Sequence, residues 1–496
     1  MAQIELIDVS IRDGNQCLWG AVALDTAQIL KVAPLLDRVG FRALDFTSST
    51  HMGVAVRNHR QDPWERIRLT RRAMPNTPLQ FIGTGLRFIS WDLATPEFMQ
   101  LVYERLVENG ISRFAIMDPL NDAEALLDSA RMIRKAGAGE VVAALTFTLS
   151  ALHDDRYYAD LAGRLARSPH IDRLYIKDPS GLLTAERARA FIPAIRARMN
   201  GMALELHSHC TIGLSSQSYM VAAESGIATL QVALGPLANG SSLPDVQRVL
   251  ANLRELGHSA DVDERLIGAA ADYFARLARA ENLPAGTPQD YDASYLRHQL
   301  AGGVISTTRR QLAELGLEHR WADLLQEVVE VRAELGYPIM VTPFPQMVCS
   351  QALANLLGRE RYDNVPDQVI RYVLGKFGRP SAALDPNVLD RIMAHTRSAE
   401  IAREGEPIGL AELRRRFKPG ISDDEFLLRA TMPAQQVDAM LAAGPAPVNY
   451  NPRVRPILRL LRELQSRPAV SSLVVEKADV RLALHRRRRP ETGDVR

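Results

Sequence analysis

Met202-Ala-Leu-Glu-Leu-His-Ser-His209 is an apolar alternating run that ends in two histidines one residue apart. The alternation predicts a buried strand, and side chains along a strand point to opposite faces in turn. His207 and His209 therefore share one face, where two imidazoles supply half of a metal site. Two ordinary histidines at a strand end would leave the same pattern, so this stretch alone keeps both interpretations open.

The same arrangement, a short apolar run followed by a longer amphipathic stretch, recurs through the first 235 residues. Eight strands are predicted, at Ile4–Val9, Phe41–Phe46, Leu79–Gly83, Arg113–Met117, Val141–Phe147, Arg173–Ile176, Leu204–His207 and Thr229–Ala233. Eight βα units of this total length predict a (β/α)8 TIM barrel, whose usual size is roughly 250 residues. A doubly wound sheet is the alternative, but it usually has a Gly-rich turn after its first strand, and Ser10-Ile-Arg-Asp-Gly-Asn-Gln16 stands there instead.

Charged and polar residues follow several of the predicted strands. The first strand leads into Arg12, Asp13 and Gln16, the sixth into Lys177, and the seventh contains the histidine pair. Because a TIM barrel carries its functional groups at the carboxyl ends of its strands, these side chains converge on one rim. Charges so close to buried strand ends need partners or a metal.

The pattern changes to amphipathic helices with short breaks after about residue 255. We therefore predict a barrel domain over residues 1–255, a mostly α-helical region over 256–443 that roofs the barrel mouth, and a linker with a basic tail over 444–496. The predicted helices include Gln311–Glu318 and Trp321–Leu335. The run Arg486-Arg-Arg-Arg489 is interpreted as a solvated end.

Composition excludes several classes of protein. Lys plus Arg total 60 and Asp plus Glu total 58, so the net charge does not indicate a nucleic-acid partner. Three cysteines without a CxxC motif fit a reducing cytosol. No apolar run approaches the ~20 residues that span a bilayer. We expect a cytoplasmic protein with no nucleic-acid partner and no membrane span.

Six further stretches stand out as motifs. They are Asp8-Val-Ser-Ile-Arg-Asp-Gly-Asn-Gln-Cys-Leu-Trp19, Asp62-Pro-Trp-Glu-Arg-Ile-Arg68, Ile176-Lys-Asp-Pro-Ser-Gly-Leu-Leu183, His207-Ser-His-Cys-Thr-Ile-Gly213, Pro236-Leu-Ala-Asn-Gly-Ser-Ser-Leu-Pro244 and His298-Gln-Leu-Ala-Gly-Gly-Val-Ile-Ser306. Together they resemble the carboxyltransferase domain or subunit of biotin-dependent enzymes, a family that includes the carboxyltransferase part of pyruvate carboxylase, the oxaloacetate decarboxylase alpha subunit and the transcarboxylase 5S subunit. The resemblance covers about residues 4 to 440.

The resemblance implies a divalent metal, Zn, Mn or Co, bound by Asp13, His207, His209 and a carbamylated Lys177. A carbamate is an anionic oxygen ligand, whereas a free ammonium repels a cation. A lysine amine reacts with CO2 only when it is neutral, and burial beside a metal favours the neutral form.

The resemblance also implies transfer of a carboxyl group between carboxybiotin and a 2-oxo acid through an enolate. Ser306 matches the family's proton-shuttling hydroxyl, and Gln16 is expected close to the substrate. No biotin-attachment tetrapeptide occurs in the chain, so biotin is expected on a separate carrier protein that works with a biotin carboxylase subunit. The resemblance also implies a homodimer.

The substrate-binding part of the motif pattern departs from the family. Thr84 stands where the family has the arginine that holds the carboxylate of the 2-oxo acid, and Arg87 is the candidate substitute. Threonine cannot replace an arginine fork. Cys210 and Gln231 each replace a family aspartate. The departures favour enolate chemistry on a different acyl group.

Three functions remain open on the sequence. The first is a carboxyltransferase or decarboxylase subunit that works with a separate biotin carrier. The second is a biotin-independent lyase, decarboxylase or aldolase on the same scaffold, in which Arg12 stabilises the enolate oxygen. The third is a catalytically degenerate subunit that scaffolds a complex.

Overall fold

The computed structural model describes residues 2–90, 92–405, 407–451, 460, 464, 467, 470–477 and 480–485. The chain divides into two compact units, Met1–Val448 and Asn449–Arg496. Within the described part of the chain, no helix combines the length and the apolar composition that crossing a membrane requires.

A closed barrel of eight parallel strands forms the first half of the larger unit, and β1 pairs with both β2 and β8 to close it. The strands are β1 (Glu5–Asp8), β2 (Ala43–Ser48), β3 (Leu79–Thr84), β4 (Arg113–Met117), β5 (Glu140–Thr146), β6 (Arg173–Asp178), β7 (Ala203–Ser208) and β8 (Thr229–Val232). The predicted TIM barrel is confirmed, and the strand ends differ from the predicted ones by two residues at most.

Helices follow every strand of the barrel. They are α1 (Asn15–Trp19), α2 (Thr26–Leu36), α3 (Ser49–Val54), α4 (Pro63–Ala73), α5 (Pro96–Asn109), α6 (Ala123–Lys135), α7 (Asp155–Leu165), α8 (Ala185–Arg196), α9 (Ser215–Glu224) and α10 (Val246–Glu255). Their starts are encoded locally. Asp25 accepts from the Gln28 backbone N–H at 2.9 Å while the Gln28 side chain accepts from the Asp25 N–H at 2.8 Å, which is a capping box at the start of α2.

Short helices beside the first two strands were not predicted. A π-helical turn, Ser10–Gly14, precedes α1, and α3 begins directly after β2. Because serine and threonine favour turns over helix interiors, residue propensities did not predict α3. Ser48 compensates as its N-cap, since its hydroxyl accepts from the His51 backbone N–H at 3.4 Å.

The rest of the larger unit is helical, as predicted. Its helices are α11 (Glu264–Glu281), α12 (Tyr295–His298), α13 (Gly302–Glu314), α14 (Trp321–Glu334), α15 (Phe344–Leu357), α16 (Asp367–Val373), α17 (Pro386–Ala394), α18 (Thr396–Ala402), α19 (Leu410–Arg415), α20 (Asp423–Thr431) and α21 (Ala434–Ala443). A second core joins α14 and α15 through buried apolar residues that include Val328, Val331, Met347 and Val348. The division of this unit at residue 255 stays a prediction.

The predicted helix Gln311–Glu318 was wrong in its bounds. The helix α13 begins nine residues earlier and ends at Glu314. Gly302 and Gly303 are poor helix formers, so propensity placed the start too late. The chain then leaves the helix through Gly316, whose φ of 69° is in the left-handed region.

The smaller unit contains an antiparallel strand pair, β9 (Ser472–Lys477) and β10 (Val480–His485), within the segment predicted as a linker and tail. The two adjacent valines in Leu473-Val-Val-Glu-Lys477 favour a strand, because β-branched residues are enriched in strands. The basic run Arg486–Arg489 lies outside the described residues.

An ion network of arginines and glutamates fills the amino-terminal end of the barrel. The fully buried Arg113 places Nη2 at 2.5 Å from Glu205 Oε1 and Nε at 2.9 Å from Glu140 Oε2. Arg173 places Nη1 at 2.9 Å from Glu5 Oε2. Buried charges of both signs are thereby paired, which the low polarity of a barrel interior requires.

Asp8, at the end of β1, ties the barrel's stability to pH. It is fully buried and accepts hydrogen bonds from the backbone N–H of Ser10 at 3.3 Å and from its hydroxyl at 2.6 Å. Burial raises the pKa of Asp8 to about 7, although the Ser10 hydrogen bonds oppose the shift. An aspartate in the unfolded chain titrates near ~3.9, so the folded state binds one more proton between these two values.

The free energy of unfolding is therefore expected to fall as pH rises through this window, by roughly 1.4 kcal/mol per pH unit for this one group. Urea unfolding of the Asp8→Asn variant between pH 5 and 7 should show a slope smaller than the wild type by about that amount. The exposed Asp272 on α11 offers a control, because Asp272→Asn changes the same charge without burial. Equal slopes for the wild type and Asp8→Asn would contradict the expectation.

Candidate active site at the carboxyl ends of the barrel strands

Four predicted site residues from three strands meet at one point. Asp13 lies in the π-helical turn after β1, Lys177 lies in β6, and His207 and His209 lie in and just after β7. All four are buried. Asp13 Oδ2 is 3.0 Å from His207 Nε2, 3.5 Å from His209 Nε2 and 3.2 Å from Lys177 Nζ. The structure thus brings together the side chains that the strand order placed on one rim.

The donor set fits a divalent cation. The two histidine Nε2 atoms are 3.1 Å apart, and each lies within 3.5 Å of Asp13 Oδ2. Ligand atoms bound at 2.0–2.2 Å to a tetrahedral cation are separated by roughly 3.4 Å. Two imidazole nitrogens and a carboxylate oxygen are also ligands that Zn, Mn and Co accept.

Hydrogen bonds fix the tautomer of both histidines. His207 Nδ1 is 2.7 Å from Gln231 Oε1, and His209 Nδ1 is 2.7 Å from the backbone carbonyl of Ser241. Gln231 Nε2 donates to Glu205 Oε2 at 3.2 Å, which turns the amide oxygen toward His207. Both partners of the Nδ1 atoms are acceptors, so the protons are on Nδ1 and the Nε2 lone pairs face Asp13.

The charges of the cluster are set by its burial and by each other. Burial opposes ionisation of Asp13, but Arg12 and Lys177 hold its pKa well below the ordinary value. Burial lowers the pKa of Lys177, and Asp13 opposes that shift. Burial and the Lys177 charge lower the pKa of His207 to about 3. Asp13 is therefore an anion and His207 a neutral imidazole at physiological pH.

Arg12 is held against two carboxylates. Its Nε donates to Asp45 Oδ2 at 2.7 Å, and its Nη2 is 3.0 Å from Asp13 Oδ2. Burial alone would lower the pKa of Arg12, but Asp13 and Asp45 raise it above its ordinary value. The guanidinium is therefore a fixed positive charge beside Asp13.

The loop after β6 is shaped to pack against the end of β7. Asp178 accepts from the backbone N–H groups of Leu182 and Leu183 at 2.9 Å each and from the Ser208 hydroxyl at 2.7 Å. Gly181 has a φ of 72°, and a Cβ at this position would lie 2.3 Å from the His209 carbonyl oxygen. Only glycine fits both requirements. The motif around Lys177 therefore also positions His209.

A cavity of about 300 Å³ opens above the cluster. Barrel residues line it together with residues of the helical region from Ala301 to Gln346. Gln16 and Thr84, both predicted near the substrate, are in the lining. Arg87 is not, because its Nη2 donates to the Lys376 carbonyl at 3.0 Å and its guanidinium lies over the Phe377 ring. The Ser306 backbone belongs to α13, and its side chain lies outside the described residues.

Sequence reasoning missed Cys17 as a site residue. Its thiol donates to Asp13 Oδ1 at 3.3 Å and lines the cavity. Asp13, Cys17 and His209 each offer a ligand atom within 4.8 Å of the others. Burial and the Asp13 charge raise the pKa of Cys17 well above its ordinary value, so it is a thiol. The spacing of four residues from Asp13 on a helical turn was the available signal.

Comparisons with known proteins agree with the motifs. The family model of the conserved carboxylase domain matches residues 296–443. A pyruvate carboxylase subunit of Methanocaldococcus jannaschii is 32% identical over 391 residues, which cover 79% of this chain and 68% of that protein. The 2-oxoglutarate carboxylase large subunit of Hydrogenobacter thermophilus is 28% identical over 449 residues, covering 89% and 68% respectively.

The fold matches a solved structure. The carboxyl transferase domain of Rhizobium etli pyruvate carboxylase with pyruvate superposes with a TM-score of 0.80 at 22% identity, covering 89% of this chain and 77% of that one. The resemblance inferred from the motifs is confirmed. This chain belongs to the family of carboxyltransferase domains and subunits of biotin-dependent enzymes.

Proposed function

We propose that this chain transfers or removes a carboxyl group on a 2-oxo acid or a related acyl substrate through an enolate, with carboxybiotin on a separate carrier protein. The observation that carries the proposal is the convergence of Asp13 Oδ2 with the Nε2 atoms of His207 and His209 at distances of 3.0 to 3.5 Å beside a small-molecule cavity. The family supports carboxyl transfer in general, and the cluster supports the metal-assisted route.

Asp13, His207 and His209 would hold the metal, with Lys177 as the fourth ligand in its carbamate form. A divalent cation held there would polarise a substrate carbonyl and so favour its enolate. Burial promotes the neutral ε-amine that reaction with CO2 requires, and Lys177 Nζ already lies 2.6 Å from His207 Nε2. The carbamate would convert a repelling ammonium into an anionic oxygen ligand.

The remaining groups orient the substrate and move protons. Arg12, fixed by Asp13 and Asp45, stabilises negative charge that develops on an enolate oxygen. Gln16 lines the cavity and offers an amide for the substrate's oxygens. We assign the proton shuttle between biotin and the enolate to the Ser306 hydroxyl.

The relatives' names give pyruvate and 2-oxoglutarate as their substrates. For this chain we propose a 2-oxo acid or a related acyl compound as the substrate. A relative that is itself one subunit of a pyruvate carboxylase supports partner subunits that carry and carboxylate biotin. We also propose that the protein is a cytoplasmic homodimer. Its three cysteines are free, which suits a reducing compartment.

The function is tested by measuring the metal content of the purified chain and CO2 release from oxaloacetate and from malonyl thioesters, with and without free biotin. Turnover that biotin stimulates is the expected result. Turnover that is indifferent to biotin would instead support a biotin-independent lyase, decarboxylase or aldolase. A metal-free and inert protein would support a scaffolding role and contradict the proposal.

Removal of the carbamate-forming amine is expected to empty the metal site. In Lys177→Ala, bound metal should fall more than the ~10–100-fold that loss of an outer hydrogen-bond partner causes, and decarboxylation should fall with it. Metal analysis and a ¹³C NMR signal from ¹³C-labelled bicarbonate report the two effects. Lys31→Ala, at an exposed position on α2, is the matched control. Full metal content and activity in Lys177→Ala would sink the carbamate assignment.

The hydrogen bond from His207 to Gln231 should contribute to metal affinity. Gln231→Leu removes the acceptor for Nδ1–H, so the ring is free to turn or to change tautomer, and affinity should fall by about 10–100-fold. Metal titration followed by calorimetry measures the change. Gln351→Leu is a matched control, because Gln351 is a buried glutamine whose amide donates to Asn355 and Asn364, residues outside the cavity lining. An equal loss of metal affinity in both variants would count against a specific role for Gln231.

A further inference from the structure

Charge is distributed unevenly in the cavity above the histidine cluster. One end carries the charged groups and the proposed metal ligands, which are Arg12, Asp13, Lys177 and His209. Apolar side chains line the rest, interrupted by hydroxyl and amide groups; the apolar ones include Ile82, Phe88, Ile89, Met117, Met340 and Val341. A ligand in this cavity therefore has a polar end and an end that meets hydrocarbon.

Three of the apolar side chains, Ile82, Met117 and Val341, form one wall of the cavity. Met117 and Val341 are buried members of one packed cluster, and Ile82 packs against it. Thr84 lies directly opposite Met117 in the β3–β4 register and two residues from Ile82 on the same strand. The wall is thus built by two neighbouring barrel strands and by the segment before α15, and Thr84 is set into it.

The cationic side chains in the described cavity lining are already paired. Among the described residues of the lining, the cationic side chains are Arg12 and Lys177. Arg12 is held by Asp13 and Asp45, and Lys177 Nζ lies 3.2 Å from Asp13 Oδ2. Both are at the histidine end. Within the described lining, no cationic side chain therefore lies at the wall, where it could pair with a second carboxylate on the ligand.

We propose that the acyl substrate has an uncharged aliphatic end, held by the wall of Ile82, Met117 and Val341, and that its carbonyl end faces Arg12 and the histidines. The inference rests on the proposed function and names the substrate class for the same site. A 2-oxo acid whose chain ends in a second carboxylate beyond the reacting carbon, as 2-oxoglutarate does, is excluded, because that charge would lie against the wall.

The physical basis is the difference between burying a methyl group and burying a carboxylate. Moving apolar area out of water lowers the free energy, whereas burying an ionised carboxylate without a partner raises the free energy by far more. Thr84 can offer one hydroxyl, which is a weak substitute for an arginine fork. The preference should therefore be at least about tenfold in affinity.

A matched pair of ligands tests this directly. 2-Oxopentanoate and 2-oxoglutarate have the same chain length and the same 2-oxo acid end, and differ in a terminal methyl or carboxylate group. Calorimetry on the purified full-length protein should show 2-oxopentanoate binding at least about tenfold more tightly. Equal binding, tighter binding of 2-oxoglutarate, or no binding of either would overturn the inference.

Two variants locate the preference in the wall. Thr84→Arg puts a cation beside Met117 and should reverse the order of affinities, while Thr287→Arg adds the same charge at an exposed loop position and should leave the order unchanged. Ile82→Ala should weaken 2-oxopentanoate binding several-fold and leave 2-oxoglutarate nearly unaffected. An unaltered ratio in a folded Thr84→Arg or Ile82→Ala protein would contradict the assignment of the wall.

Binding is measured without turnover, so the two proposals fail separately. A protein that prefers 2-oxopentanoate but transfers no carboxyl group would retain the substrate class and lose the proposed function. An active protein that prefers 2-oxoglutarate would do the reverse.

Discussion

The site depends on the contacts that the Asp13 carboxylate makes with its neighbours. One oxygen, Oδ2, lies within 3.5 Å of Arg12, Lys177, His207 and His209, and the other accepts from the Cys17 thiol. The charges of Arg12 and Lys177 are costly to bury alone, and the Asp13 anion pairs with both at one point. Because these side chains come from β6, from β7 and from the segments that follow β1 and β7, the cluster forms only when the barrel is closed through the β1–β8 pair.

The site is also joined to the base of the barrel. Arg113 holds Glu205, Glu205 accepts from Gln231, and Gln231 accepts from His207. A chain of polar contacts thus runs along the barrel interior from the ion network to the imidazole and fixes its tautomer. The ion network therefore has two roles, since it neutralises buried charge and also orients one of the predicted ligands.

Membership of the family and the choice of substrate have different physical origins in this chain. The side chains proposed as metal ligands match the family motifs, and the relatives in that family are carboxylases. The cavity wall is built by Ile82, Met117 and Val341, and Thr84, which replaces a family arginine, is set into it. In the function and substrate class proposed here, reaction type and substrate preference therefore depend on separate sets of contacts.

The sequence by itself determined the barrel, because the period of apolar residues and the capping signals at helix starts involve residues close to one another in the chain. It also placed Asp13, Lys177 and the histidine pair on one rim, because parallel strands in a barrel end on the same side. Only the tertiary structure decided that Gln231 orients His207, that Cys17 donates to Asp13, and that Arg87 turns toward Lys376 and Phe377 and not into the cavity. These outcomes depend on contacts between residues as much as 289 positions apart, and no local pattern encodes which of several possible partners a polar side chain finds.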